Sequence, residues 1–300
     1  MLETQAGENA QSDFHGIVGG YVPERADWTI DQNWGAYTPE EHATWKTLYE
    51  RQMTLIPGRA SQAYLDGLAE LPITADRIPD FEALSDALEK RTGWRVVAVP
   101  GMVPNEVFFN HMANRRFPAG QFIRKAHQLD YLQEPDVFHD IFGHVPMMVN
   151  PVMADFMQAY GEGGLRAERL GVLDYLARLY WYTVEFGLIE EAGALRIFGG
   201  GILSSFTETR FALESASPNR IGFDLERVMR TAYRIDEFQE TYFVMPSLDT
   251  LFDMANTDFA PIYEKLKALP DFGLATVTPD DRVFTRGTGE YHRALLTGDC

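Results

Sequence analysis

Two histidines of this 300-residue chain, His139 and His144, sit close together among acidic and glycine residues, in Glu134-Pro135-Asp136-Val137-Phe138-His139-Asp140-Ile141-Phe142-Gly143-His144-Val145-Pro146. A pair of neutral imidazoles can hold a divalent transition metal and leave its other positions to harder ligands. On a regular α-helix five residues place the two rings about 140° apart, too far round to share one ion. Gly143 and Pro146 predict that the helix loosens or ends here, so that His144 turns back toward His139. The third ligand is sought in an acidic residue that sequence context buries. Glu185 meets that description, lying in Tyr180-Trp181-Tyr182-Thr183-Val184-Glu185-Phe186-Gly187. A carboxylate buried in such an aromatic and β-branched run needs a cation, a metal or several donors as partner. Two histidines and one carboxylate form a facial triad with open positions, the ligand set of non-haem iron(II) oxygenases.

Spacing alone leaves other readings open. A histidine on an apolar helix is commonly a hydrogen-bonded core residue, and the doublet His139-Asp140 is also one with which helical phosphohydrolases ligate a metal. A helical binding protein with a structural metal is a third reading, although such a site closes with four protein ligands where three are evident here.

The elements that must position these groups read mainly as helices. Thr38-Pro39-Glu40-Glu41 is a helix start with a capping box, and that helix should run to about Leu55. Further helices are expected near Ser61 to Leu71 and from Asp80 to Arg91, with Gly93 as terminator. Helical patterns then dominate from Pro135 to Ser215, at about 136–145, 151–160, 165–170, 173–186 and 204–213, and recur near 248–254 and 261–268. Short strands are expected at Trp94 to Val99, Leu195 to Phe198 and Thr241 to Met245. The fold class is therefore mainly α, a single catalytic domain over residues 27–267 with a few short strands. An irregular arm (1–26) precedes it and an irregular tail (268–300) follows.

Composition narrows the partners. With 45% hydrophobic and 23% charged residues the chain is a globular protein, not a disordered or fibrous one. Its 26 basic and 44 acidic residues leave −18, a charge that repels phosphate backbones and anionic membranes, so neither nucleic acid nor a membrane is an expected partner. One cysteine, Cys300, excludes an internal disulfide and a cysteine-based zinc site, and points to the cytoplasm.

The run Pro135 to Pro146, then Tyr180 to Gly187, then Gly200-Gly201-Ile202-Leu203-Ser204-Ser205-Phe206 resembles, in that order, the motifs of the pterin-dependent aromatic amino acid hydroxylases. The resemblance extends from about Asp27 to about Lys267. It implies a mononuclear Fe(II) held by His139, His144 and Glu185, with O2 as cosubstrate and tetrahydrobiopterin or a related tetrahydropterin as electron donor. The implied reaction puts one oxygen atom on the ring of an aromatic amino acid, phenylalanine giving tyrosine, and one on the pterin. Arg124, fifteen residues before His139, matches the arginine that pairs with the substrate carboxylate. Phe108 matches the aromatic on which the pterin stacks, and Asp140 an acidic residue facing it. Tyr180 matches a tyrosine lining the metal site, Trp181 and Phe186 residues near the substrate ring, and Ser204 a serine that supports the first histidine. Taken alone, Arg124 reads as a surface arginine, the aromatic residues as core and Asp140 as a solvated helix charge. Leu132 and Gln133 stand where animal members have a Thr-Pro pair, so the substrate-side loop differs. Animal members also carry a regulatory domain before the catalytic core and a tetramerising helix after it. The 26 residues before Asp27 are too few for the first, and Pro270, Gly273, Pro279, Gly287 and Gly289 do not fit the second, so an unregulated monomer is expected.

Overall fold

The structure, a computed structural model, describes residues 22–130 and 134–297. Most of the amino-terminal arm, together with Leu132, Gln133 and Cys300, therefore lies outside the described residues. Helix α1 (Pro39–Met53) starts on the expected capping box, in which the Thr38 side chain accepts from Glu41 N while the Glu41 carboxylate accepts from Thr38 N. Helices α2 (Gln62–Glu70) and α3 (Phe81–Thr92) follow, the latter ended by Gly93 at φ 75°, where a side chain would be strained. Strand β1 (Arg95–Val99) pairs in parallel with β2 (Arg116–Gly120) across the intervening helix α4 (Asn105–Ala113). Neither α4 nor β2 is legible in the sequence, since β2 contains Pro118 and Gly120, residues that weaken a strand signal.

Helix α5 (Pro151–Arg169) merges the two helices expected over 151–160 and 165–170, and packs on α4. Its Gly161 and Gly164 allow the contact, because a Cβ on Gly161 would come within 2.3 Å of Ala113 N and one on Gly164 within 2.2 Å of the Phe109 ring. Then come α6 (Leu173–Tyr180), the hairpin β3 (Leu188–Glu191) and β4 (Ala194–Ile197), the single turn α7 (Gly200–Leu203) and α8 (Phe206–Glu214). After β5 (Asn219–Gly222), α9 (Leu225–Met229), β6 (Thr241–Met245), α10 (Asp249–Ala255) and α11 (Ala260–Leu266), the chain adds β7 (Val283–Thr285) and α12 (Glu290–Thr297). Five strands form one mixed sheet in the order β4-β3-β6-β5-β7.

The tail after Lys267 thus departs from the irregular segment expected of it. Its prolines and glycines fall in the connections, while β7 completes the sheet edge on β5 and α12 follows Gly289. One continuous apolar core, including Trp45, Trp94, Phe138, Phe142 and Tyr242, runs beneath these layers. Among the described residues no helix is long and apolar enough to cross a membrane.

Candidate active site

The two segments that carry the candidate ligands are wound differently from the helices around them. His139–His144 and Trp181–Glu185 are both π-helical. Winding by i→i+5 hydrogen bonds carries a residue five positions on round to nearly the same side, a turn that recurs at functional sites. Of the two alternatives that Gly143 and Pro146 offered, the helix loosens between the two histidines and does not end there. His144 Nε2 lies 3.1 Å from His139 Nε2 and 3.1 Å from Glu185 Oε2, with His139 Nε2 3.5 Å from Glu185 Oε1.

Glycines let these groups converge. A Cβ on Gly200 would stand 2.5 Å from the His144 ring, and one on Gly201 2.3 Å from Glu185 Oε1. Gly143 fits under the carbonyl of Gly200, which a Cβ would approach to 2.5 Å. The turn α7 is thus a bare backbone pressed on two of the three groups.

Their electrostatics suit a cation. Burial pushes the His139 imidazole down to about 4, so it is neutral at physiological pH. Its Nδ1, 3.0 Å from Ser204 Oγ, donates there, since the Ser204 hydroxyl itself donates to Gly201 O at 3.3 Å. That fixes the tautomer and leaves the Nε2 lone pair facing His144 and Glu185. Desolvation opposes ionisation of Glu185, but the two imidazoles facing it outweigh that and hold it below the usual carboxylate range. Cis ligands at about 2.1 Å from one ion stand about 3.0 Å apart, close to the separations seen, so the residues fit a metal bound on one face.

Around this trio opens a cavity of about 760 Å³. Phe108, Arg124, Asp140, Tyr180, Trp181, Phe186 and Ser204 all line it with the three ligands, so every site residue named from the sequence reaches one space. Tyr180 is buried, its ring 6.4 Å from that of His144 and 6.4 Å from that of Phe108. Trp181 lies against Phe186 at 4.8 Å and Tyr233 at 4.4 Å, and its indole N–H donates to Gln239 Oε1 at 3.0 Å. Asp140 is not a solvated charge. Its Oδ2 accepts from Gly120 N at 2.7 Å, and desolvation pushes the carboxyl up to about 7. It is no member of the ligand cluster, which among the described residues comprises His139, His144 and Glu185, so the phosphohydrolase pattern fails.

Arg124 is no surface arginine either: it is 9% exposed and its Nε and Nη2 both donate to Asp136 at 2.9 Å. One edge of the guanidinium is therefore already matched; Nη1 also donates to Leu129 O at a long 3.4 Å, so the edge between Nη1 and Nη2 keeps one N–H of each for a ligand. Sequence reading overlooked Asp136. It is fully buried and also accepts from Arg124 N at 2.9 Å and His139 N at 3.0 Å, joining the arginine to the first ligand. An acid three residues before His139 was the available signal.

The sequence profile described as biopterin-dependent aromatic amino acid hydroxylase matches residues 33–265. The chain belongs to that family. The phenylalanine-4-hydroxylase of Caulobacter vibrioides is 60% identical over 280 residues, 93% of this chain and 95% of that protein. That of Chromobacterium violaceum is 56% identical over 268 residues, 89% of this chain and 90% of the other. A crystal structure of the Chromobacterium violaceum phenylalanine hydroxylase with iron and phenylalanine bound superposes on this hydroxylase with a TM-score of 0.83, at 53% identity, covering 88% of this chain and 97% of that one. Sequence reading also missed the cavity-lining segment 234–239, which has neither helix nor strand pattern.

Proposed function

We propose that this protein is a phenylalanine 4-monooxygenase that converts L-phenylalanine to L-tyrosine with O2 and a tetrahydropterin at one mononuclear Fe(II). The observation that carries the reading is the convergence of two imidazole nitrogens and one carboxylate, 3.1–3.5 Å apart, on a cavity large enough for an amino acid and a pterin together. Iron and tetrahydropterin, when bound, supply the electrons that activate O2 for transfer of one oxygen atom to the ring.

The protein's own residues do the positioning. His139, His144 and Glu185 hold the metal from one side and keep the rest of its coordination sphere open to the cavity. Ser204 keeps the His139 ring in one tautomer and orientation. Phe108 offers the pterin an aromatic face, with Asp140 as a polar partner on that wall. Arg124 takes the substrate carboxylate on its remaining edge, its charge already steadied by Asp136, while Trp181 and Phe186 wall the aromatic ring. Tyr180 and its apolar neighbours keep water from the reacting carbon. The catalytic unit is residues 27–267. The protein acts as a monomer in the cytoplasm on small molecules, without nucleic acid or membrane partners.

The test is product analysis with purified protein, Fe(II), O2 and a synthetic tetrahydropterin, offered phenylalanine, tryptophan and tyrosine separately. Tyrosine from phenylalanine, in amounts tied to pterin oxidised, is the expected result. Preferential hydroxylation of tryptophan would move the protein to another substrate class of its family.

A further inference from the structure

The substrate side of the cavity is closed by a segment with no regular structure: Arg234, Ile235, Asp236, Glu237, Phe238 and Gln239 all line it. Its neck is tied from within, because Gln239 Nε2 donates to Arg234 O at 2.7 Å and Gln239 Oε1 accepts from Arg234 N at 3.2 Å. The same Oε1 holds the Trp181 indole. Its tip is tied from outside by α12. Tyr291 Oη donates to Glu237 Oε1 at 2.8 Å, and His292 donates to Phe238 O at 2.7 Å through Nε2, the ring nitrogen that carries an N–H because its partner is a carbonyl. The Phe238 ring is gripped by Phe211 at 4.3 Å and Tyr291 at 5.2 Å. The helix is anchored in turn: Gly289 N donates to Ser217 O and Tyr291 N to Ser217 Oγ, at 2.9 and 3.1 Å.

The internal bonds fix only the neck of this loop, and a tip without ladder or helix bonds takes its place from what holds it. Phe211 grips the Phe238 ring from within the family profile, but both hydrogen bonds that α12 makes to the tip come from Tyr291 and His292, past position 265, where the match to that profile stops. We propose that Tyr291 and His292 are positioning residues for the aromatic substrate: they lock the 234–239 loop, which through Gln239 sets the Trp181 wall of the substrate pocket. The active unit then extends to α12, beyond the catalytic segment outlined above. The proposal rests on the assignment of this cavity to phenylalanine. Pterin and metal are held from other elements, so the effect is confined to one of the two organic ligands.

Tyr291→Phe, His292→Leu and His292→Gln test this in the iron-loaded full chain, with phenylalanine and tetrahydropterin varied separately. Loss of one tip bond should raise the phenylalanine KM about three- to tenfold, the factor corresponding to the net worth of one hydrogen bond. Pterin KM and bound iron should stay at wild-type values, and less of the oxidised pterin should be matched by tyrosine. His292→Gln, whose amide N–H reaches the same carbonyl, should restore most of the loss. Trypsin cleavage after Arg234, identified by fragment mass, should quicken in Tyr291→Phe and His292→Leu; this readout does not depend on turnover, so an inactive wild type would sink the functional assignment and leave the latch decided by cleavage. Tyr291→Phe retains the packed ring and decides the matter if His292→Leu does not fold. Wild-type phenylalanine KM together with wild-type cleavage would overturn the proposal, as would a joint rise in both KM values with loss of iron.

Discussion

Asp136→Asn isolates the residue on which the metal and substrate ends of the site both depend. The carboxylate is fully buried and receives four hydrogen bonds, from Arg124 N, Nε and Nη2 and from His139 N. Asparagine keeps one acceptor oxygen and turns its amide N–H₂ toward donors, so it strands a guanidinium that is 9% exposed. Breaking a buried pair on one side costs about 3–5 kcal/mol, chiefly the cost of the unpaired charge. For a chain of this size that lowers the Tm on the order of 10 °C. Burial opposes ionisation of Asp136, but the Arg124 hydrogen bonds and charge outweigh it and hold the pKa below the ordinary range. A carboxyl lowered in the folded state stabilises above its unfolded pKa and loses that contribution as pH falls through the folded value. The stability gap between wild type and variant should therefore be full at neutral pH and shrink below about pH 4. Circular dichroism melts from pH 7 down to pH 3, with phenylalanine KM measured at pH 7, check both parts. A variant melting within a degree or two of wild type at pH 7, or a gap that widens in acid, would refute the reasoning.

Four further outcomes are expected. His144→Ala, or alanine at His139 or Glu185, should abolish or greatly weaken binding of about one Fe(II), as measured by metal analysis after gel filtration; wild-type iron content and turnover in His144→Ala would refute the ligand set. Phe108→Ala should raise the pterin KM by about fivefold or more, stacking being worth on the order of 1 kcal/mol, and full hydroxylation without pterin, or with 2-oxoglutarate in its place, would contradict the mechanism. Arg124→Ala should weaken phenylalanine by roughly 2–5 kcal/mol, mainly in KM and without rescue by Arg124→Lys, and the wild type should favour phenylalanine strongly over phenethylamine, which lacks the carboxylate. Glu208, buried in the cavity wall beneath the Tyr242 hydroxyl, is pushed up to about 8 by desolvation. A carboxyl raised in the folded state gives stability that is present below its unfolded pKa and lost as pH rises through the folded one, so wild type should lose stability relative to Glu208→Gln between about pH 4.5 and 8. Parallel Tm curves over that window would show that Glu208 is ionised in the folded protein.

Local chemistry made much of this protein readable along the chain. Thr38, Pro39 and Glu41 specify a helix start by groups within one turn of each other, and Gly93 ends a helix by a φ that only its own conformational freedom allows cheaply. The ligands too could be named, because imidazoles and a carboxylate embedded in apolar runs demand a partner wherever they fold. The strand Thr241–Met245, buried throughout, declared itself by β-branched and aromatic composition.

Other features exist only through contacts between distant segments. Short strands such as β2, β5 and β7 hold three to five residues each, and their hydrogen-bond partners lie far off in sequence, so no local pattern marks them. The π winding that brings His144 beside His139 depends on packing as well as sequence, with Gly143 seated under Gly200 O. Asp136 and Arg124 became a pair only when a fold returned the chain over twelve residues, and burial then turned Asp140 from a surface charge into a cavity group. The tail beyond Lys267 reads as irregular because its prolines and glycines are all that sequence shows. Its role is decided by where α12 comes to rest, since a hydrogen bond or a stacked ring has no sequence signature until both partners have been carried into reach.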